Sequence, residues 1–180
     1  IVHMAHIIRA IEQDTLRLSQ REHPLLGRAT CNVGTVRGGV QVNFVPDRCE
    51  IEIDRRLLPS EEREAVLAHY QQLVDLVAAS KEGMCVIMHP PTLSDRPLET
   101  NVRAPAVLKL VAVLDELGLP STPCGVPFCS DASKFGNLGI PSMIFGPGSI
   151  DQAHAAIEYI ECSQVVQAAE IYRCFLLSYS

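Results

Sequence analysis

The 180-residue sequence lacks the marks that several common protein classes require. It contains no CxxC pair, and its seven cysteines are an odd number, so neither a disulfide framework nor a zinc ribbon is indicated. It has no basic stripe. Fifteen Lys and Arg against 21 Asp and Glu leave a net charge of -6, which argues against nucleic acid as a partner. Its longest apolar runs fall far short of a membrane span, so no membrane role is expected. HxD, HExxH and HxxE are all absent, and no complete zinc-hydrolase motif can be read. The first residues carry no initiator Met, no charged stretch leading into an apolar run and cleavage site, and no Ser, Thr or Asp cap. Ile1, Met4, Ile8, Ile11, Thr15 and Leu18 nevertheless share one helical stripe. The sequence thus opens inside a helix, and a piece of a longer protein is expected.

What is present suits a globular protein with a core: 47% of residues are hydrophobic and 20% charged. The cysteines (Cys31, Cys49, Cys85, Cys124, Cys129, Cys162 and Cys174) read as mostly buried, reduced thiols of a cytoplasmic protein. The opening helix should run to about Gln20, followed by a loop to Gly27 and a strand from Arg28 to Val36. Gly38-Gly39 predicts a two-residue hairpin turn into a strand carrying Val40, Val42 and Phe44. Cys49, Ile51 and Ile53 alternate with Glu50, Glu52 and Asp54, which predicts a third strand with an acidic outer face. Ser60 is placed to cap a second helix whose stripe is Val66, Tyr70, Leu73 and Val77. Residues 84–88 predict a fourth, short strand. With one strand before Ile1, the order becomes a β-α-β-β-α-β-like unit: an antiparallel sheet with two helices on one face.

The second half follows a different grammar. After a linker at 92–102, a helix should follow Pro105 and stop at Gly118 and Pro120. A loop to Asp131, a short helix at 132–138, a strand at 141–145 and a last helix at 163–177 complete it. The expected core side of that helix is Val166, Ala169, Ile171, Tyr172, Phe175 and Leu176. This is α/β material with too few strands for a sheet of its own.

Chemistry concentrates in a few residues. His154 follows the 141–145 strand and a Gly146-Pro147-Gly148 turn, where ligands gather at the carboxyl ends of α/β strands. It is read either as a metal or proton-transfer imidazole or as a loop histidine packed on the next helix. Glu158, four residues on, either orients that imidazole from the same helical face or is a first-turn glutamate favoured by the dipole. Asp131 is either a site carboxylate or an N-cap. Asn43 offers a donor and an acceptor, and Arg56 a bidentate grip on carboxylates, unless Arg56 only pairs with Asp54 or Glu52. The other five histidines read as surface or half-buried residues. Cys124 and Cys129 are expected to have no basic partner nearby, which leaves a thiol enzyme the least favoured reading.

Two groups of stretches, taken together, resemble the M20 metallopeptidases, and within them the acetylornithine deacetylase and succinyl-diaminopimelate desuccinylase branch. The first is Gly34-Thr35-Val36-Arg37-Gly38-Gly39, Asn43-Phe44-Val45-Pro46-Asp47 and Asp54-Arg55-Arg56-Leu57-Leu58-Pro59. The second is Ser130-Asp131-Ala132, Gly139-Ile140-Pro141-Ser142-Met143-Ile144-Phe145-Gly146-Pro147-Gly148, Gln152-Ala153-His154 and Glu158-Tyr159. The resemblance implies an α+β lid domain at 1–92, pairing with a second subunit as a homodimer. It implies that 93–180 is the C-terminal part of an α/β zinc-exopeptidase-like catalytic domain. By the same match His154 is the last of the ligands to two zinc ions (cobalt being an alternative), and Asn43, Arg56, Ser130 and Asp131 face a small N-acyl amino acid or peptide substrate. Glu158 becomes a partner of the ligand histidine. The family's HxD, bridging Asp, Glu-Glu pair, remaining carboxylate and lid histidine are absent, so no catalytic residue is expected here. The family mechanism sets a Glu as general base on a zinc-bridging water, and without it the chain alone is expected to be inactive. The competing reading is a non-catalytic dimerisation module with degenerate motifs.

Overall fold

The structure is a computed structural model and describes residues 1–153 and 155–179. His154 lies outside the described residues, and with it the metal-ligand expectation. The chain divides into two compact units, one of Ile1–Pro97 with Gly125–Cys129, the other of Leu98–Cys124 with Ser130–Ser180.

In the first unit, helix α1 (Val2–Leu18) is followed by two short strands, β1 (Glu22–His23) and β2 (Gly27–Arg28), in a stretch expected to be only loop. β3 (Thr30–Gly38) then pairs antiparallel with β4 (Cys49–Arg56), and helix α2 (Arg63–Ala79) follows. Ile7 and Ile11 of α1 and Tyr70 and Val74 of α2 form the buried core, with Cys31, Val33 and Ile51 packed beneath them. Both helices therefore lie on one face of the pair. Ile7, and not Ile8, is the most deeply buried of these residues, at 2% exposure. β3 carries a bulge between Val33 and Thr35. Val33 opposes Ile53 and Val36 opposes Ile51, three residues apart on one strand and two on the other, so the extra residue Gly34 keeps both valines on one face of the pair; Val33 packs on the core there, while Val36, nearer the hairpin loop, is 59% exposed.

Four expectations are corrected here. Residues 40–44 are not a strand. β3 closes directly onto β4 at Gly38↔Cys49, so 39–48 becomes the hairpin loop, and Val40 and Val42 find no neighbour to bury against. Residues 84–88 form no ladder, yet their alternation holds: Met84, Val86 and Met88 pack on the core while Cys85, Ile87 and His89 stay outside. The two-helix, one-face layer is present, but in place of a four-stranded sheet the described residues form two two-stranded antiparallel sheets. Ser60 does not cap α2, whose N-cap is Glu62. Glu61 turns inward instead; its Oε2 accepts from Leu58 N at 2.9 Å and its Oε1 pairs with Arg55 at 2.5 Å.

In the second unit, helix α3 (Pro105–Glu116) begins on its proline. It ends in a Schellman motif: Gly118 takes φ 69°, its N–H bonds to Asp115 O, and Leu119 N–H bonds to Leu114 O. Helix α4 (Ala132–Asn137), a 3-10 turn (Ile150–Gln152) and helix α5 (Cys162–Leu177) follow. Leu110, Val113 and Leu114 of α3 meet Ile171 of α5, with Leu119, Met143, Phe145, Cys174 and Phe175 around them. The expected strand at 141–145 is an irregular stretch without a ladder. Its Ser142 carbonyl is taken by the Thr100 hydroxyl and its Phe145 carbonyl by the Tyr172 hydroxyl, at 2.6 Å for the latter, so side chains replace a neighbouring strand. The buried side of α5 is Ala168 and Ile171; Val166, Ala169, Tyr172 and Leu176 are exposed, contrary to the expected stripe. None of the seven cysteines is buried: all are free, with Cys85, Cys124, Cys129 and Cys162 exposed. No helix of the described residues is long and apolar enough to cross a membrane.

Candidate functional site

β4 delivers Arg56 at its last position, where the alternation turns the side chain away from the core. Its Nε donates to Asp54 Oδ2 at 2.9 Å and its NH1 to Cys129 Sγ at 3.3 Å. The surface pairing with Asp54 is thus real, and the guanidinium keeps half of its side-chain surface exposed. Asn43 lies exposed in the 39–48 loop. Its position follows from the hairpin closing at Gly38, and not from a strand face as the alternation suggested.

Ser130 and Asp131 open α4. The Ser130 hydroxyl accepts the Ala132 N–H at 3.3 Å, so the serine takes the role expected of Asp131. Asp131 occupies the N-cap position with α-helical angles and makes no capping bond. Its carboxylate instead accepts from Lys134 Nζ at 2.6 Å, and that hydrogen bond and charge hold it below the usual carboxylate range. Glu158 is exposed in an irregular stretch ahead of α5. Glu158 itself is therefore not on a helix, because α5 starts only at Cys162. Upstream, Gly148 at φ 93° donates its N–H to Gln164 Oε1 at 2.9 Å, tying the Gly-Pro-Gly turn to α5.

A catalytic zinc needs three protein ligands and an open position. Among the described residues no group of three or more His, Cys, Asp and Glu side chains is placed to hold a metal ion. The one zinc ligand that the resemblance places in this chain, His154, lies outside those residues. Of the expected residues, the structure brings Arg56 to Cys129, which precedes Ser130 in the chain.

Sequence reasoning missed two polar pairs, one fully buried and one with a half-exposed histidine. Asp14, 6% exposed, meets His69 Nε2 at 2.9 Å across α1 and α2. Arg55 and Glu61 form an ion pair whose side chains are only 8% and 4% exposed. The signal was available in both cases. Asp14 falls on the buried stripe of Ile7, Ile11 and Leu18, and Arg55 lies on the same face of β4 as the core-facing Ile51. Beside them the Tyr70 hydroxyl is buried without a hydrogen-bond partner. Burial pushes its pKa up, the Cys31 thiol and Asp14 push further, and Arg55 pulls it back.

Comparison with known proteins supplies the class. Residues 1–82 match the peptidase dimerisation domain of the M20 proteins. N-acetyl-L-citrulline deacetylase of Xanthomonas campestris is 30% identical over 141 residues, which is 77% of this chain and 36% of that protein. Acetylornithine deacetylase of Edwardsiella ictaluri is 29% identical over 76% of this chain and 34% of its own length. N-formyl-4-amino-5-aminomethyl-2-methylpyrimidine deformylase of Bacillus subtilis is 26% identical over 85% of this chain and 39% of its own. A tripeptidase structure from Staphylococcus aureus shares the fold, with TM-score 0.58 and 19% identity over 94% of this chain and 43% of that one. Residues 1–82 thus carry an M20 peptidase dimerisation domain, the chain is similar to M20 deacetylases, and it spans a little over a third of the length of the curated relatives it matches.

Proposed function

We propose that this chain is part of a dinuclear-zinc amidohydrolase that cleaves the amide bond of N-acyl amino acids or small peptides. Residues 1–92 serve as the lid and dimerisation domain, and 93–180 as the C-terminal segment of the catalytic domain. Arg56 and Asn43 grip the substrate carboxylate and polar oxygens, for which a half-exposed guanidinium and a loop amide have the right chemistry. Ser130 and Asp131 line the same pocket, His154 is the one metal ligand contributed by these residues, and Glu158 supports it.

The observation that carries this reading is the breadth of the alignment. Relatives named for removing acetyl or formyl groups match three quarters or more of this chain, across both units. The test is to purify the full-length gene product, measure its zinc and cobalt content, and assay N-acetylated amino acids alongside the 180-residue chain. Expected are bound metal and turnover in the former, and no turnover in the latter. Metal-dependent amide cleavage by the 180 residues alone would refute the assignment of roles. A dimer of the 180-residue chain by sedimentation is expected as well.

A second reading, a non-catalytic dimerisation module, draws on the match of residues 1–82 to a peptidase dimerisation domain. An HxD, an Asp and a Glu-Glu pair in the parent gene ahead of Ile1 would exclude it.

A further inference from the structure

After Cys124 the chain leaves the second unit, runs with the first as Gly125–Cys129, and rejoins the second at Ser130. Both ends of this short excursion are fastened. A Cβ on Gly125 would lie 2.4 Å from the Leu25 carbonyl oxygen, 2.7 Å from its carbon and 2.9 Å from Leu26 Cδ2. Two of those three atoms are backbone, in the turn between β1 and β2. That turn is itself braced, because His23 Nδ1 accepts the N–H groups of Leu25 and Leu26 at 3.2 and 3.3 Å. No side-chain rotation relieves the contact, so only glycine permits the approach. At the other end Cys129 Sγ accepts the Arg56 NH1 hydrogen at 3.3 Å, while Asp54 holds the same guanidinium through Nε.

We propose that Gly125–Cys129 is a strap clasped to the first unit at both ends, and that Cys129 is a positioning residue for Arg56. The glycine end docks by backbone contact against the β1–β2 turn. The cysteine end completes the cradle that fixes the guanidinium at the end of β4. The strap stands on these contacts and not on the hydrolase reading, so either idea can fail without the other.

Hydrogen exchange read by mass spectrometry on the 180-residue chain tests it, at the amides of Val126, Phe128 and Cys129. Gly125→Ala is expected to speed their exchange roughly tenfold while α1 and α2 keep their protection. Cys129→Ala and Arg56→Gln are each expected to give about a fivefold rise confined to the strap, the effect of one lost hydrogen bond. Cys129→Ser retains an acceptor and is expected to stay within about twofold of the parent. Unchanged strap exchange in Gly125→Ala overturns the proposal. So does equal exchange in Cys129→Ala and Cys129→Ser, and this pair decides alone should Gly125→Ala fail to fold.

Discussion

The two units solve the same problem by different means. The first packs two helices on a bulged strand pair and buries charged side chains: Asp14, held by the half-exposed His69, and Arg55 against Glu61. The second packs α3 on α5 with an apolar core and satisfies its irregular 141–145 stretch with side-chain hydroxyls. Buried charge commits the first unit to one geometry, since a misplaced partner leaves an ion without solvation. An apolar core tolerates displacement better, at the cost of specificity. The first unit should therefore be the more sensitive to single polar substitutions.

The largest effect is expected from Glu61→Ala. It strands Arg55 in the interior and releases the Leu58 N–H, for a loss of about 3–5 kcal/mol by chemical denaturation. The sequence has no tryptophan, so the loss is followed unit by unit through amide exchange, with α3 and α5 expected to keep their protection. If α3 and α5 loosen equally, the units are not independent and the comparison breaks. Next, Ile7→Ala should cost about 2–5 kcal/mol, and Leu110→Ala, at 9% exposure against 2%, should fall at the low end of that range. A reversed order would show the second core to be the tighter one. His69→Ala is expected to cost about 1–3 kcal/mol by leaving the Asp14 carboxylate buried and unpaired. His69→Gln, which keeps a donor, should recover part of it.

The smallest effects separate the units by pH. Tyr70 in the first unit has its pKa raised, chiefly by burial, so the stability it contributes is complete below the unfolded value and is lost as pH climbs through the folded one. Glu170 in the second unit is exposed, and Arg173 lowers its pKa from 4.5 to about 2. Its contribution is present above 4.5 and disappears as pH falls toward 2. Circular dichroism and amide exchange should show the first unit loosening at the alkaline end, and α5 fraying slightly at the acid end. Loss of α5 first in alkali would contradict this.

Elements whose order is written locally were legible. Pro105 and Gly118 bracket α3, and the acidic alternation of β4 names its outer face. Where partners come from distant sequence, periodicity misled. Val40, Val42 and Phe44 alternate as a strand does, but alternation buries nothing when no neighbour is available, and the chain became a loop. Residues 141–145 have strand composition, yet a ladder needs a second strand and the described residues supply hydroxyls. At the site, Arg56 and its ion pair with Asp54 could be read from spacing two apart on a strand. Its contact with Cys129, 73 positions away, could not.

The bulge at Gly34 has a consequence for how this segment can change. One additional residue sets the parity of β3, so that the valines before and after it share a side. Losing or gaining a single residue there would invert the second half of the strand, moving Val36 off the face it shares with Val33 and bringing Thr35 onto it. Insertions and deletions in that stretch should therefore survive only in pairs, and length variation among kin should accumulate in the hairpin tip, where no such bookkeeping applies.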